Sequence, residues 1–229
     1  MLSREQIEAI EQKLGYEWKN KEYLQTAFTH SSFAYSHNLT SNERLEFLGD
    51  SILNFCTTKF LFDNFNFAEG VCSKIRAYLV SSEYVSKYIF DAGLEKNLLC
   101  DNFNPEKSTN VMGDLFESIV GAMFLDSDLE QCKKFIYESL KYSKELVNSI
   151  LKLTRDYKSE LQEFLQQTTG NTLEYVVISK KGPAHKPEFE IAAMINGKKY
   201  AIAFGSSKKE AENLAAEKTL EVLKNNKNT

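Results

Sequence analysis

One ten-residue stretch, from Asn42 to Ser51, constrains this chain more than any other part of its sequence. If the stretch is helical, Glu43, Glu46 and Asp50 lie at i, i+3 and i+7 on one face, and apolar residues repeat that spacing on the opposite face. Three carboxylates along one helical stripe repel one another, so the arrangement is destabilising unless positive charge lies among them. The stripe therefore predicts a bound divalent metal ion.

A second acidic pair supports this prediction. Asp114 and Glu117 are spaced i, i+3 and precede an apolar or small run at residues 118–125, where unpaired carboxylates would be costly to bury. Gly121 lies one turn further along the same face, where the missing side chain would let another helix approach closely. If that helix carries the first stripe, the acids form an all-oxygen cluster suited to Mg²⁺ or Mn²⁺. The alternative is that both sets of acids are solvated helix faces.

Charge is divided unevenly along the 229 residues. Residues 1–153 carry 16 Lys and Arg against 22 Asp and Glu, whereas residues 154–229 carry 12 against 10. The acidic half is expected to hold a metal, and the basic half to bind phosphate.

No stretch is apolar for long enough to span a bilayer, and the first residues do not resemble a secretory signal. We therefore expect a cytoplasmic protein with no membrane partner.

Cysteines and histidines indicate no further cofactor. The four cysteines, at positions 56, 72, 100 and 132, show no Cys-x-x-Cys pair and no histidine at zinc-ligand spacing, so we expect reduced thiols that mostly fill the core. His30 and His37 have no acid or thiol at catalytic spacing, and His30 is interpreted as a packing and hydrogen-bonding residue. No organic cofactor is expected.

The spacing of apolar residues predicts two domains of different class. Residues 1–149 show three- and four-residue spacing almost throughout, which predicts an all-α domain. A surface loop is predicted at 98–109, which contains Pro105, and a linker at 150–153. The predicted helices span residues 4–14, 21–27, 44–64, 71–79, 82–90, 110–125 and 129–153.

Residues 154–225 predict a small α+β domain in the order α-β-β-β-α, an antiparallel sheet with two helices packed on it. Helices are predicted at 156–168 and 208–224, and strands at 173–179, 189–195 and 200–204, with Asn196 and Gly197 as the tight turn between the last two strands. The buried face of the final helix is predicted to contain Ala211, Ala215, Thr219 and Val222. Residues 226–229 are expected to be a frayed tail.

Two lysines begin the final predicted helix, where the helix dipole disfavours cations. Ser206 or Ser207 is expected to cap this helix. The position of Lys208 and Lys209 is explained if they share a phosphate with the free backbone N–H groups there. The alternative is two solvated lysines.

The motif Asn42-Glu-Arg-Leu-Glu-Phe-Leu-Gly-Asp-Ser51 resembles the signature of the ribonuclease III family of double-stranded-RNA endonucleases. Gly113-Asp-Leu-Phe-Glu117 is similar to the second acidic motif of that family, and Thr29-His-Ser-Ser32 to its Thr-His-x-Ser element. The resemblance covers nearly the whole chain. It implies an Mg²⁺-dependent endoribonuclease, with Mn²⁺ as a substitute, that cuts both strands of an RNA duplex and leaves 5′-phosphate and 3′-hydroxyl ends. It also implies the processing of ribosomal RNA precursors and structured messenger RNA.

The same resemblance implies roles for single residues. Glu46, Asp114 and Glu117 would be metal ligands, and Asp50 would orient water at the metal or hold a second ion. Glu43 would be a supporting acid nearer to a dimer interface.

Phe47 lies near the acidic stripe rather than on the apolar face of its helix, and by default such an aromatic packs against another helix. In the ribonuclease III family the matching aromatic enters a socket on a second subunit. The resemblance therefore implies a homodimer with Phe47 in its interface.

The carboxyl-terminal half resembles a double-stranded-RNA-binding domain, through Gly182-Pro-Ala-His185 followed by a Phe-rich strand, and through Gly205-Ser-Ser-Lys-Lys-Glu-Ala211. Such domains read about 16 bp of duplex by shape. The resemblance assigns minor-groove contacts to Gln162, Glu163, Gln166 and His185, and phosphate contacts to Lys208 and Lys209. Glu212 stands where a third lysine is common, so weak binding by this module alone is expected.

Two other functions fit parts of the pattern. A duplex-RNA-binding protein that has lost cleavage would have a substitution at an acidic ligand position, and this sequence has none. A di-iron carboxylate oxidoreductase on a helix bundle would need Glu-x-x-His pairs, which the sequence lacks. The oxidoreductase would also leave the basic α-β-β-β-α module unexplained.

Overall fold

The structure, a computed structural model, describes residues 1–101, 104, 108–166, 170–183 and 187–227. The chain divides into two compact units, Met1–Thr154 and Arg155–Thr229, each with its own core. All four cysteines are among the described residues; none forms a disulfide, and Cys56 and Cys132 are buried. No helix in the described part of the chain is long and apolar enough to cross a membrane.

The first unit is all-α. Polar N-caps start several of its helices; for example, Ser81 accepts a hydrogen bond from the backbone N–H of Tyr84, and Ser108 from that of Val111. The helices are α1 (Arg4–Leu14), α2 (Lys21–Ala27), α3 (Ser31–His37), α4 (Glu43–Asn64), α5 (Glu69–Leu79), α6 (Ser82–Asp91), α7 (Thr109–Asp126), α8 (Leu129–Ser139) and α9 (Lys144–Thr154), with a 3₁₀ turn at Glu95–Asn97.

The region after α7 differs from the prediction in two ways. The single helix predicted for residues 129–153 is wrong, because Lys141 adopts a left-handed backbone conformation (φ 52°) and Leu140 turns into the core. Residues 150–153, expected as a linker, instead continue α9. Val147 and Ile150 hold α9 in place by packing in a cluster with Phe60.

The segment around Thr29 connects the start of α3 to the residues before α7. The prediction omits α3, which is short and rich in polar residues. Thr29 forms a parallel β-bridge with Leu99, and the backbone N–H of His30 donates to the carbonyl of Leu99 at 3.0 Å. Leu98 is buried and Thr109 already belongs to α7, so the loop predicted at 98–109 is too long at both ends.

The second unit has the predicted α-β-β-β-α order. Its elements are α10 (Tyr157–Gln166), β1 (Leu173–Lys181), β2 (Glu188–Ile195), β3 (Lys198–Gly205) and α11 (Lys208–Lys227). The strands form an antiparallel sheet in the order β1-β2-β3, with both helices packed against it. The core contains Leu161 and Leu165 from α10, Ile195 from β2, and Ala216 and Leu220 from α11.

The buried face of α11 is shifted slightly from the prediction. Ala211, Ala215 and Thr219 are buried as expected, but Val222 is exposed, because Leu220 covers the core near that end of the helix. The tail predicted at 226–229 is helical at positions 226 and 227, and positions 228 and 229 lie outside the described residues.

Candidate functional site

Three carboxylates from two helices meet in the first unit. Glu46 lies near the start of α4, and Asp114 and Glu117 lie one turn apart on α7. One oxygen of each carboxylate lies within 4.8 Å of the others, and all three side chains are half-buried. These three residues, called the acidic cluster below, are the ones predicted as metal ligands.

Two glycines let α4 and α7 cross with their backbones in contact. A Cβ atom on Gly49 would lie 1.8 Å from the carbonyl oxygen of Glu117, and one on Gly121 would lie 2.1 Å from that of Leu45. The sequence predicts a close approach at Gly121, whereas the equivalent role of Gly49 is not predicted. Because the crossing lies at the level of the acids, a side chain at either position would push Glu46 away from Glu117.

The acidic cluster holds protons more tightly than isolated carboxyl groups do. Burial raises the pKa of Glu117 to about 8, and the charges of Asp50, Asp114 and Glu46 add to the rise. Burial is also the main cause of the raised pKa of Glu46 and of Asp114, where His30 opposes the rise. A cation among these oxygens would displace the protons and remove the repulsion.

Asp50 and Glu43 lie on the same stripe of α4 but outside the cluster. Both side chains are exposed: Asp50 accepts a hydrogen bond from Asn54 Nδ2 at 2.7 Å, and Glu43 accepts one from the Ser41 hydroxyl at 2.9 Å. Asp50 is nevertheless close enough to raise the pKa of Glu117. Asp50 therefore borders the cluster.

Polar residues around Asn42 position the start of α4. The buried Asn42 donates its backbone N–H to the carbonyl of Thr29 at 2.9 Å, and its own carbonyl accepts a hydrogen bond from the Ser118 hydroxyl at 3.5 Å. His30 caps α3, because its Nδ1 accepts a hydrogen bond from the backbone N–H of Ser32 at 3.2 Å. His30 thus makes hydrogen bonds of the kind predicted for it. The sequence pattern does not predict the positioning roles of Asn42 and Ser118, although Ser118 is a polar residue at the start of the apolar or small run at 118–125.

An exposed aromatic face also runs along α4. Phe47, Phe55 and Phe62 lie within about 80° of one another around the helix axis, and Phe47 and Phe62 are 79% and 80% exposed. Phe47 borders a surface cavity of about 610 Å³ that Tyr23 and Leu125 also line. Its ring is therefore not packed in the core of the described residues, and large exposed apolar side chains on one face are typical of contact surfaces.

The residues predicted to contact RNA lie on two helices of the second unit. They are Gln162, Glu163 and Gln166 on the exposed face of α10, and Lys208 and Lys209, both exposed, in the first turn of α11. Ser207 caps α11 by accepting a hydrogen bond from the backbone N–H of Glu210 at 3.2 Å, and the Glu210 carboxylate accepts one from the backbone N–H of Ser206 at 2.7 Å. His185 lies outside the described residues.

Comparisons with known proteins match both units. A family model described as Ribonuclease-III-like matches residues 20–143, and one described as Double-stranded RNA binding motif matches residues 157–223. The chain is 39% identical over 226 residues to Ribonuclease 3 of Wolinella succinogenes, with 96% of this chain and 92% of the relative covered. It is 38% identical over 222 residues to Ribonuclease 3 of Campylobacter jejuni, with 95% and 97% covered.

Solved structures match the first unit. A structure of the nuclease domain of the Campylobacter jejuni enzyme, described as showing structural flexibility in the region involved in dimer formation, is 35% identical. It has a TM-score of 0.55 and covers 59% of this chain and 96% of its own. The resemblance drawn from the motifs is confirmed, as is the order of an all-α domain before a small α+β domain. The chain belongs to the ribonuclease III family and is an endoribonuclease that acts on double-stranded RNA.

Proposed function

We propose that this endoribonuclease depends on Mg²⁺, with Mn²⁺ as a substitute, and hydrolyses both strands of duplex RNA to leave 5′-phosphate and 3′-hydroxyl ends. The observation that carries the proposal is the convergence of Glu46, Asp114 and Glu117 within 4.8 Å. Their raised pKa values indicate repulsion and burial that a divalent cation would offset. Carboxylate oxygens are the ligands that Mg²⁺ and Mn²⁺ prefer, so the donor set fits these ions.

The five acids have three roles in this proposal. Glu46, Asp114 and Glu117 hold the ion, and Glu117 gives up its proton when the ion binds. A bound divalent ion supplies Lewis acidity, which makes water a better nucleophile and stabilises charge on the leaving 3′ oxygen. Asp50, exposed at the edge of the cluster, accepts a hydrogen bond from the attacking water and orients it. Glu43 supports the site from the exposed start of α4, and no side chain acts as the nucleophile.

The proposed substrates are ribosomal RNA precursors and structured messenger RNA in the cytoplasm. The test is incubation of the purified chain with end-labelled duplex RNA in Mg²⁺, Mn²⁺, Ca²⁺ or EDTA, with the matching single strand as a control. We expect cleavage of the duplex in Mg²⁺ and Mn²⁺, none in EDTA, and products that a ligase rejoins without end repair. Cleavage in EDTA, or products with 3′-phosphate ends, would contradict the proposal.

We also propose that the chain forms a homodimer through the aromatic face of α4. Phe47, Phe55 and Phe62 expose apolar rings on one side of a single helix, and a second copy of the same face would cover them. The similar nuclease domain from Campylobacter jejuni is itself described as having a region involved in dimer formation. Aromatic residues of this kind often contribute most of the binding energy of an interface.

Phe47→Ala is expected to weaken this dimer by about tenfold or more, because it removes one of the most exposed aromatic rings of that face. Sedimentation velocity over a range of protein concentrations measures the effect, and circular dichroism should show unchanged helical content. Tyr35→Ala is the matched control, since Tyr35 is 93% exposed but lies on α3. A wild-type protein that is monomeric at micromolar concentration would refute the interface.

In the second unit, we propose that Lys208 and Lys209 bind RNA phosphates, while Gln162, Glu163 and Gln166, together with His185, contact the minor grooves. The supporting observation is that both lysines are exposed at the capped amino terminus of α11, where backbone N–H groups also favour anions.

Replacing both Lys208 and Lys209 with alanine is expected to raise the dissociation constant for duplex RNA about tenfold near physiological salt and to reduce the salt slope by about 2. Filter binding or anisotropy in Ca²⁺ over a salt series measures both quantities. The double variant Lys198→Ala, Lys199→Ala is a control of equal charge at the start of β3, about 23 Å along the strand from Gly205, the end that leads to α11. Equal losses in the two variants would mean that net charge, rather than a phosphate site, explains the binding.

A further inference from the structure

The Glu212 carboxylate lies between two lysines from different helices. Its Oε2 atom is 2.5 Å from the ammonium of Lys158 at the start of α10, and its Oε1 atom is 3.8 Å from that of Lys208 at the start of α11. The side chain of Glu212 is 13% exposed, against 36% for Lys158 and 61% for Lys208. Glu212 therefore needs a close cationic partner, and Lys158 is the nearer and better shielded one.

Lys158 is held in this position by contacts other than its ion pair. Its backbone N–H donates to Asn213 Oδ1 at 3.3 Å, and Asn213 Nδ2 donates to the carbonyl of Arg155 at 2.8 Å. The Lys158 ammonium also lies 4.9 Å from the centroid of the Tyr175 ring on β1. The start of α10 is thus tied to α11, and the ammonium of Lys158 is aimed at Glu212.

Lys208, the second lysine, could pair either with Glu212 or with an RNA phosphate. Lys208 and Glu212 are four residues apart on α11, in the lysine-before-glutamate order that gives the weaker helical ion pair. At 3.8 Å their charged atoms are beyond hydrogen-bond distance. If Lys158 were absent, Glu212 would have Lys208 as its neighbouring cation and would compete with a phosphate for it.

We propose that Lys158 is a positioning residue for duplex binding, which neutralises Glu212 and so leaves Lys208 available to an RNA phosphate. The inference rests on the proposed phosphate contact of Lys208. It explains how the start of α11 can remain basic although position 212 is a glutamate, because Lys158 on α10 pairs with that glutamate. The proposed role of Lys158 involves no phosphate contact of its own.

A double-mutant cycle on the full chain tests the proposal. Lys158→Met, Glu212→Gln and the double variant are compared with wild type by anisotropy on duplex RNA in Ca²⁺ over a salt series. We expect Lys158→Met to raise the dissociation constant about threefold or more and to lower the salt slope by about 1. Glu212→Gln should bind at least as tightly as wild type, and the double variant should bind like Glu212→Gln. Lys158→Arg, which keeps the charge, should retain wild-type affinity and slope.

Two results would overturn the proposal. The first is an equal loss of RNA affinity from Lys158→Met whether position 212 holds glutamate or glutamine, because Lys158 would then contact RNA directly. No change from Lys158→Met would overturn it too. If Lys158→Met unfolds, Lys158→Gln takes its place in the cycle with the same expected loss, because its amide can still donate a hydrogen bond to Glu212 but carries no charge. Lys208→Ala tests the proposed phosphate contact separately. If this variant loses no RNA affinity, the phosphate role of Lys208 is refuted. If it loses affinity but the effects of Lys158→Met and Glu212→Gln are additive, only the role of Lys158 is refuted.

Discussion

Replacing Glu117 with glutamine should reduce cleavage of duplex RNA by at least ~100-fold at saturating Mg²⁺, because the substitution keeps the shape of the side chain but removes a charged ligand. Glu117 is the most strongly perturbed member of the acidic cluster, with a pKa raised to about 8 by burial and by three neighbouring acids. Single-turnover cleavage of labelled duplex measures the loss. Binding of the duplex in Ca²⁺ should be nearly unchanged, because the proposed RNA contacts lie in the second unit.

The same substitution should stabilise the metal-free protein at alkaline pH. Glu117 titrates at about 8 in the folded chain, and an unperturbed glutamate in the unfolded chain titrates near ~4.3. The folded state therefore binds this proton more tightly, and the associated stability is complete below the unfolded pKa and is lost as pH rises to 8. Glutamine does not titrate. In EDTA above pH 8, we expect Glu117→Gln to exceed wild type by about 2 to 5 kcal/mol in free energy of unfolding.

Chemical denaturation in EDTA at pH 5, 7 and 9 measures this difference, which should grow with pH. Saturating Mg²⁺ should reverse the order, because the ion binds the wild-type cluster more tightly than the variant. Glu43→Gln makes the same charge change on an exposed part of α4 and should leave most of the activity. Retained turnover by Glu117→Gln at saturating Mg²⁺ would refute the ligand assignment.

Gly49→Ala should destabilise the protein and impair cleavage, although alanine is the better helix former. The added Cβ would lie 1.8 Å from the carbonyl oxygen of Glu117, and that oxygen belongs to the backbone of α7, which cannot rotate away. The helices must therefore separate. We expect a loss of about 2 to 4 kcal/mol in the free energy of unfolding, and a fall in cleavage rate of about 100-fold from a shift near 1 Å between ligands.

Gly70→Ala provides the matched control. Gly70 lies in helix α5, and a Cβ there would meet no described heavy atom within 4 Å apart from its chain neighbours and the adjacent backbone of its own helix. We expect it to leave cleavage unchanged and to stabilise the fold by about 0.5 to 1 kcal/mol. Urea denaturation and cleavage rates on both variants make the comparison. If Gly49→Ala behaved like Gly70→Ala, the close crossing of α4 and α7 would not be needed to assemble the cluster.

In the helical unit, the sequence pattern predicts the long helices well and the short or irregular segments poorly. The spacing of apolar residues predicts α4 and α7 to within one residue at each end, because a long periodic stripe reflects burial along the whole helix. It does not predict the break between α8 and α9, since the apolar spacing continues across Leu140 and no glycine marks the left-handed residue Lys141. Helix α3 is missed because its few turns are held by the His30 cap and by contacts distant in sequence.

The sequence by itself determined which acids could act together. Helical periodicity puts Glu46 and Asp50 on one stripe and Asp114 and Glu117 on another, and both stripes are local consequences of 3.6 residues per turn. Only the tertiary structure decided that the stripes meet, through the backbone contact at Gly49 and the raised pKa of Glu117 that follows from burial. The pairing of Glu212 with Lys158 was likewise decided only by the tertiary structure, because the two residues are 54 positions apart in the sequence. Distances and desolvation between segments far apart in the chain depend on how the helices pack, and local spacing does not encode them.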